Sequence, residues 1–321
     1  MTRLALALLV SAFSLVCAAQ PQPFPSRTVT LVSPFPPGGS TDAIARIMAQ
    51  RMGTALGQTV IVENVGGAGG SIGGRRVATS KPDGYTFVIG QWDNFVGNGV
   101  VYNLDYDVQK DFAPIGLLSI NPQLILARKT LPAEDLKGLV AYMKANPGKV
   151  TFVNQQASAQ MVAVLLQQMT GTEVLLIPYK GGGPAMTDMI AGHVDLLMVQ
   201  AAIALPQVRA GKIRAMAVLQ PSRSPVVEGV PSVDEAGVPG LYLPGWFGFF
   251  APKGTPKDVI AKLNAAMVEA LADPAIKARF ADLGLDIASR EQQAPEGLAA
   301  FQKAEIEKWW PLIKAAGIKV E

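Results

Sequence analysis

The segment VENVGGAGGSIGGRR, residues 62–76, places six glycines in the nine positions from Gly66 to Gly74. Inside regular structure each glycine costs roughly 0.5–1 kcal/mol relative to alanine, because it has more backbone freedom to lose. Six of them imply a few kcal/mol, a good part of a domain's net stability. Such a run points to backbone geometry that other residues cannot supply. Three readings compete: a nucleotide-binding loop, a nucleophile elbow, and a bare main-chain cradle for a small anion.

The flanking pattern is strand, glycine-rich turn, helix, repeated. Residues 28–33 and 59–63 are short and β-branched and read as strands, as do 85–89, 124–127, 151–153, 174–177, 194–199, 213–219 and 245–251. Ile44, Ile47, Met48 and Met52 recur on one helical face, and longer helices are expected over 256–271, 274–283 and 295–316. This alternation predicts an α/β protein with parallel sheets and crossover helices. Two α/β units joined twice, crossing near Asn121–Gln123 and before Trp246, is the natural packing.

Three turns share one design, glycines between a strand and a helix start: PPGGST at 36–41, GGAGGSIGG at 66–74 and KGGGPA at 180–185. A helix start exposes unpaired N–H groups and about half a positive charge. Glycine lets a ligand approach that backbone, so such a turn makes an anion site without a charged side chain. Any one of them also serves as an ordinary turn. Several together favour a shared site, since these loops gather at one end of an α/β sheet.

The rival readings meet obstacles. Gly67, Gly69 and Gly73 give G-x-G-x-x-x-G, one residue longer than a dinucleotide fingerprint, although Asp93 follows the next strand where a ribose partner would stand; the Gly-Lys-Ser/Thr of a P-loop does not occur. Gly69 to Gly73 spells G-x-S-x-G, but Ser71 lies well beyond the strand end at Glu63, whereas an elbow serine follows its strand directly. The sole histidine, His193, sits in AGHVD, where a turn residue at a helix C-terminus is the plainer reading.

Residues 4–16 form an apolar run after Arg3, too short to span a bilayer and followed by small residues. This predicts a signal peptide over 1–19, export, and a periplasmic location. Lipid anchoring through Cys17 is the alternative, with Val16 a poor fit before it. Without Arg3 the net charge falls from +3 to +2, too mild to suggest nucleic acid. With one histidine and one cysteine, a transition-metal site is not expected.

The chain resembles the periplasmic substrate-binding proteins of tripartite tricarboxylate transporters, the Bug-type receptors. The resemblance rests on residues 35–42 (FPPGGSTD), 57–64, Gly67 to Gly70 with Ile72-Gly73, 82–86 (PDGYT), Tyr106-Asp107, 111–114 (DFAP), 178–185 (PYKGGGPA), Gly192 with Val194-Asp195, 210–214 and 251–256 (APKGTP), in family order over essentially the whole mature chain. It implies an α/β, two-lobed, type II-like periplasmic binding protein, each lobe a mainly parallel sheet flanked by helices, with the ligand cleft between. One lobe would comprise 26–122 and 246–321, the other 123–245. The implied function is reception of a small organic carboxylate, such as a dicarboxylate or aromatic acid, by a monomer that delivers it to membrane permease subunits. No catalysis and no cofactor are implied. A sensor that hands its closed form to a signalling protein uses the same physics, and an exported serine hydrolase is the third possibility.

Carried over by position, the first cradle is Phe35, Pro36, Gly38, Gly39, Ser40, Thr41 and Asp42, and the second is Ala68, Gly69, Gly70 and Ser71. The other lobe would add Asn154, Gln155, Gln156, Ser158, Tyr179, Val199 and Gln200. Met161 stands where the family often has His, Val199 where Asp is common, and Ser71 where Asn is usual. Losing chargeable groups suits a neutral or amide-seeking distal end, which Gln155, Gln156 and Gln200 could meet. Trp92, beyond the strand over 85–89, can stack on a ligand ring or pack between lobes. Arg75 and Arg76, near a helix start, are expected to point to solvent.

Overall fold

The computed structural model describes residues 23–318, so the expected signal peptide and Cys17 lie outside the described residues. Two sheets organise the chain. The first has the order β11-β4-β10-β3-β1-β2, built from β1 (Val29–Ser33), β2 (Val60–Asn64), β3 (Thr86–Gln91), β4 (Phe112–Asn121), β10 (Gly245–Pro252) and β11 (Asp286–Ile287). The second has the order β7-β6-β8-β5-β9, from β5 (Gln123–Arg128), β6 (Thr151–Asn154), β7 (Leu175–Pro178), β8 (Leu196–Gln200) and β9 (Ile213–Val218). Only Pro122 separates β4 from β5, and the chain re-enters the first sheet at Gly245.

Both sheets are mixed. β1 pairs in parallel with β2 and β3, and β6 with β7 and β8. β10, returning from the second sheet, slots between β3 and β4 antiparallel to both, and β5 is antiparallel to β8 and β9. The parallel strands share one consequence: their C-terminal ends, and the helix starts that follow, lie at one edge of each sheet. In the first sheet these are α1 (Ser40–Leu56), α2 (Ser71–Ala78) and a wide π-type turn over Asp93–Gly97 that runs into α3 (Asn98–Val101). In the second they are α5 (Ala157–Thr170), α6 (Gly182–Ala191) and α7 (Ala201–Arg209). α4 (Leu136–Ala145) covers the second sheet, and α8 (Lys257–Ala272), α9 (Pro274–Asp282) and α10 (Pro295–Ala315) belong to the C-terminal return.

The apolar faces bury as their periodicity requires. Ile44, Met48 and Met52 of α1 join Leu31, Phe87, Phe249 and Leu263 in one cluster. A second cluster is continuous from the first sheet to the second, linking Trp92, Trp246 and Trp309 with Phe152, Met161 and Leu196. Trp309 meets Trp92 edge-on at 5.6 Å between centroids, and Phe95 stacks on Phe250 at 3.9 Å. Among the described residues no helix is long and apolar enough to cross a membrane.

β4 is a central strand with no counterpart in the sequence expectation. Its FAPIGLLSIN lacks alternation because both faces are covered, and it carries Pro114 and Gly116. Both sit where the pairing with β10 shifts register, the position at which a sheet tolerates proline. α2 begins at Ser71, so Arg75 and Arg76, expected near a helix start, occupy its last turn instead, where the helix dipole favours them. Both are exposed, with Arg75 on Asp105 at 2.7 Å and Arg76 near Glu63 at 3.6 Å.

The glycine run now has a two-part physical explanation. Gly67, Gly69 and Gly70 adopt φ of 130°, 60° and 91°, with Ala68 also positive at 46°. Gly73 instead permits close approach: a β-carbon there would lie 2.6 Å from Pro34 Cβ and 2.8 Å from the Val65 carbonyl oxygen. Alanine inside a helix normally stabilises relative to glycine, but this clash reverses the sign. Gly73→Ala is expected to cost about 1–3 kcal/mol in denaturant unfolding. Gly39→Ala, whose new carbon would meet nothing nearer than Pro36 O at 3.9 Å, is expected to cost under about 1 kcal/mol. Equal stability of the Gly73→Ala and wild-type proteins would contradict this packing.

Candidate ligand-binding cleft

The helix starts of the two sheets face each other, and the side chains that join them are polar. Ser40 Oγ donates to Gln200 Oε1 across the cleft. Gln200 Nε2 in turn donates to Gln91 Oε1 at 3.3 Å, which also accepts from Thr41 Oγ1 at 3.2 Å. A second junction runs from Asp93, in the π-type turn, to the first turn of α5: Ser158 N donates to Asp93 Oδ1 at 2.9 Å. Thus Ser40, Thr41, Ser158 and Gln200 of the expected set are brought together, with Gln91 and Asp93 added.

The donors of the first cradle are main-chain groups. The N-cap of α1 is Gly39, and that of α2 is Gly70; neither helix start receives a side-chain cap. α4 and α9, by contrast, are capped by Asp135 and Asp273. α8 and α10 also begin without a side-chain cap, so the glycine N-caps facing polar residues, rather than a missing cap alone, distinguish this edge. Phe35 is half-buried, its ring close over Gly70, and Pro36 is exposed against Gly66. Asn98 fixes the second loop, donating through Nδ2 to Gly69 O and to Ser71 Oγ, both at 2.9 Å. Ser71 is therefore positioned by an amide, while His193 lies exposed on the other lobe beside Asp188.

Four expected contacts take other roles. The Asp42 carboxylate accepts from Gly38 N at 3.0 Å, from Asn64 Nδ2 at 2.9 Å and from Arg46, so its side chain shapes the 36–41 turn instead of facing a ligand. Burial pushes Asp42 up, but these hydrogen bonds outweigh it and hold its carboxyl below the ordinary value. Trp92 is 1% exposed and packs between Trp309, Gly97 and Ala157, joining the lobes. Tyr179 donates its hydroxyl to Asp188 Oδ2 at 2.6 Å. Val199 belongs to the cluster under α6 and α7, close to Gly182, because β8 turns it away from the face that carries Met198.

The remaining second-lobe residues lie at or near the cleft. Gln155 donates to Met198 O at 2.6 Å, Gln156 is the N-cap of α5, and the Asn154 carbonyl accepts from Tyr179 N. Around them is an unusual concentration of buried polar groups: Gln91, Asn94, Asn98, Asn121 and Gln123 are each under 5% exposed. Asn94 Nδ2, Asn98 Oδ1, both amide atoms of Asn121, Gln123 Oε1, Gln155 Oε1 and the indole nitrogens of Trp92 and Trp246 have no hydrogen-bond partner. Buried polar atoms are nearly always paired, and an unpaired one costs about 1–3 kcal/mol. Asn98 and Asn94 adjoin the second glycine loop, Gln123 lies opposite Gln200 in the sheet, and Asn121 lies opposite Gly245. Of these residues Gln155 and Trp92 were expected from sequence; Gln91, Asn94, Asn98, Asn121 and Gln123 were not singled out, although QWDNFVGN after an apolar strand was a usable signal for the first three.

A separate cavity of about 580 Å³ lies beside Tyr102, Tyr106 and Trp310, but Asp105, Asp107 and Asp111 on its wall disfavour an anion there. Among the described residues no group of three or more His, Cys, Asp or Glu is arranged to hold a metal.

Asp93 is the cleft's buried charge, 3% exposed. Burial pushes its carboxyl up to about 6, and hydrogen bonds from Ser158 and its own N–H pull only part of the way back. The unfolded chain would release this proton near 3.8. The folded form therefore holds the proton more tightly, and its stability from this group is full below 3.8 and lost as pH rises through about 6. That interval corresponds to about 3 kcal/mol. Relative to Asp93→Asn, the wild type is expected to lose about this much unfolding free energy between pH 4 and 7; parallel stability curves would contradict it.

The chain is similar to known proteins over almost its whole length. A family model described as tripartite tricarboxylate transporter family receptor, TctC, matches residues 44–318. A UPF0065 protein of Agrobacterium vitis is 39% identical over 315 residues, covering 97% of this chain and 91% of that protein. The periplasmic binding protein BugD superposes with a TM-score of 0.86 at 37% identity, over 93% of this chain and all of BugD. MatC of Rhodopseudomonas palustris, solved with bound malate, gives a TM-score of 0.85 at 37% identity, over 90% of this chain and all of MatC. The chain accordingly belongs to the receptor family of the tripartite tricarboxylate transporters.

Proposed function

We propose that this protein is a periplasmic solute receptor that closes on a small organic carboxylate and delivers it to the permease of a tripartite tricarboxylate-type transporter. Among the described residues, 26–122 with 246–318 form one lobe and 123–245 the other. The observation that carries the reading is the pairing of two glycine-capped helix starts, α1 and α2, with buried polar atoms that lack partners. The cradle residues 35–42 and 68–71 include no Lys, Arg or His. Attraction for an anion there comes from main-chain N–H groups and the helix dipoles.

The magnitudes suffice. Each charge-assisted hydrogen bond to a carboxylate contributes about 1.5–3 kcal/mol. Four of them, less docking and ordering costs, reach about −8 kcal/mol, or micromolar affinity. Closure excludes water and strengthens each bond. Ser40, Gln91 and Gln200, which meet across the cleft, favour the closed form, and ligand shifts the population toward it. MatC's malate supports the carboxylate class, and family membership supports the transporter as recipient.

A thermal-shift screen of small carboxylates is expected to find at least one that raises Tm while its methyl ester does not. Gln200→Ala is expected to weaken that ligand about threefold to tenfold, the loss of one or two hydrogen bonds. An ester that binds as well as its acid would remove the basis of the proposal.

A further inference from the structure

Asp93 and the α5 start have a consequence for what the second lobe can accept. The carboxylate of Asp93 comes from the first lobe, yet it sits on Ser158 N at the beginning of a second-lobe helix. Both residues are essentially fully buried, at 3% and 1% exposure. α5 has 14 residues and no side-chain cap from its own N-cap Gln156, so its dipole and the Ser158 N–H act on Asp93. The groups facing Asp93 are the backbone and hydroxyl of Ser158, its own N–H and the Tyr102 phenol, itself pushed up by burial and by the Asp93 charge. A helix start of this kind is where a ligand's second carboxylate would be received; here the protein supplies the anion itself.

We propose that Asp93 is a built-in second anion that makes the site selective for ligands with one carboxylate and an uncharged, hydrogen-bonding distal end. The proposal rests on the carboxylate-receptor reading and narrows its ligand class. The distal groups it leaves for the ligand are uncharged: the amides of Asn121, Gln123 and Gln155 and the Trp246 indole, all with unpaired buried atoms. An amide offers a distal amide or hydroxyl both a donor and an acceptor, whereas a second carboxylate offers only acceptors. It would also share a low-dielectric space with the Asp93 charge.

The test uses the whole mature protein and matched pairs of equal length: succinate with succinamate, glutarate with glutaramate, and terephthalate with terephthalamate. Affinities are measured by calorimetry at pH 7.5 for wild type and Asp93→Asn. For any pair that binds, the wild type is expected to prefer the mono-amide at least about tenfold, and Asp93→Asn to shrink that ratio about tenfold. Equal or tighter binding of the dicarboxylate by wild type overturns the proposal. So does an unchanged ratio in Asp93→Asn. If that variant does not fold, the wild-type ratio alone decides. Binding of neither member of any pair, with no response to other carboxylates, overturns the carboxylate-receptor reading instead.

Discussion

The first four N–H groups of an α-helix have no partner inside the helix. Much of this structure depends on where those groups point. β1 and β2 are parallel, so α1 and α2 begin at the same edge of one sheet. Glycine at each N-cap leaves the first turn without a side-chain cap and lets another molecule approach the backbone. Asp42, Arg46 and Asn64 hold the first turn from behind, and Asn98 holds the second. The charged groups thus stabilise the shape of the cradle, while main-chain N–H groups and helix dipoles, with no Lys, Arg or His, give it its positive potential.

The second lobe completes the enclosure through a different chemistry. Its edge carries amides, and two junctions tie it to the first lobe: Ser40 with Gln200, and Asp93 with Ser158. The continuous apolar cluster through Trp92, Trp246 and Trp309 lies alongside them. In the proposed binding mode, main chain at one end reads ligand charge and side chains at the other read ligand polarity. Ligand preference can then change through a few second-lobe residues while the cradle is retained.

Much of this was legible in the sequence where the signal is local. The helical face of Ile44, Met48 and Met52, the strands flanking the glycine turns and the turns themselves follow from periodicity and turn chemistry. β4 was not legible, since a strand covered on both faces and interrupted by Pro114 and Gly116 shows no period. Asp42 was expected as a contact because it closes the family motif at residues 35–42, yet its carboxylate serves the turn. Asp93 was considered only as a ribose partner. Its burial on α5 depends on two lobes meeting, a relation between residues 65 positions apart that no local pattern encodes. The unpaired amides of Asn121 and Gln123 were invisible for the same reason, although the chain crossing at those residues was expected.

The most direct measurement is a crystal structure of the receptor with a carboxylate found in the thermal screen. The account predicts carboxylate oxygens about 3 Å from main-chain nitrogens at the starts of α1 and α2, with the distal end among Gln123, Gln155 and Gln200. A ligand held instead by Lys or Arg side chains, with both sets of main-chain donors turned to solvent, would contradict it.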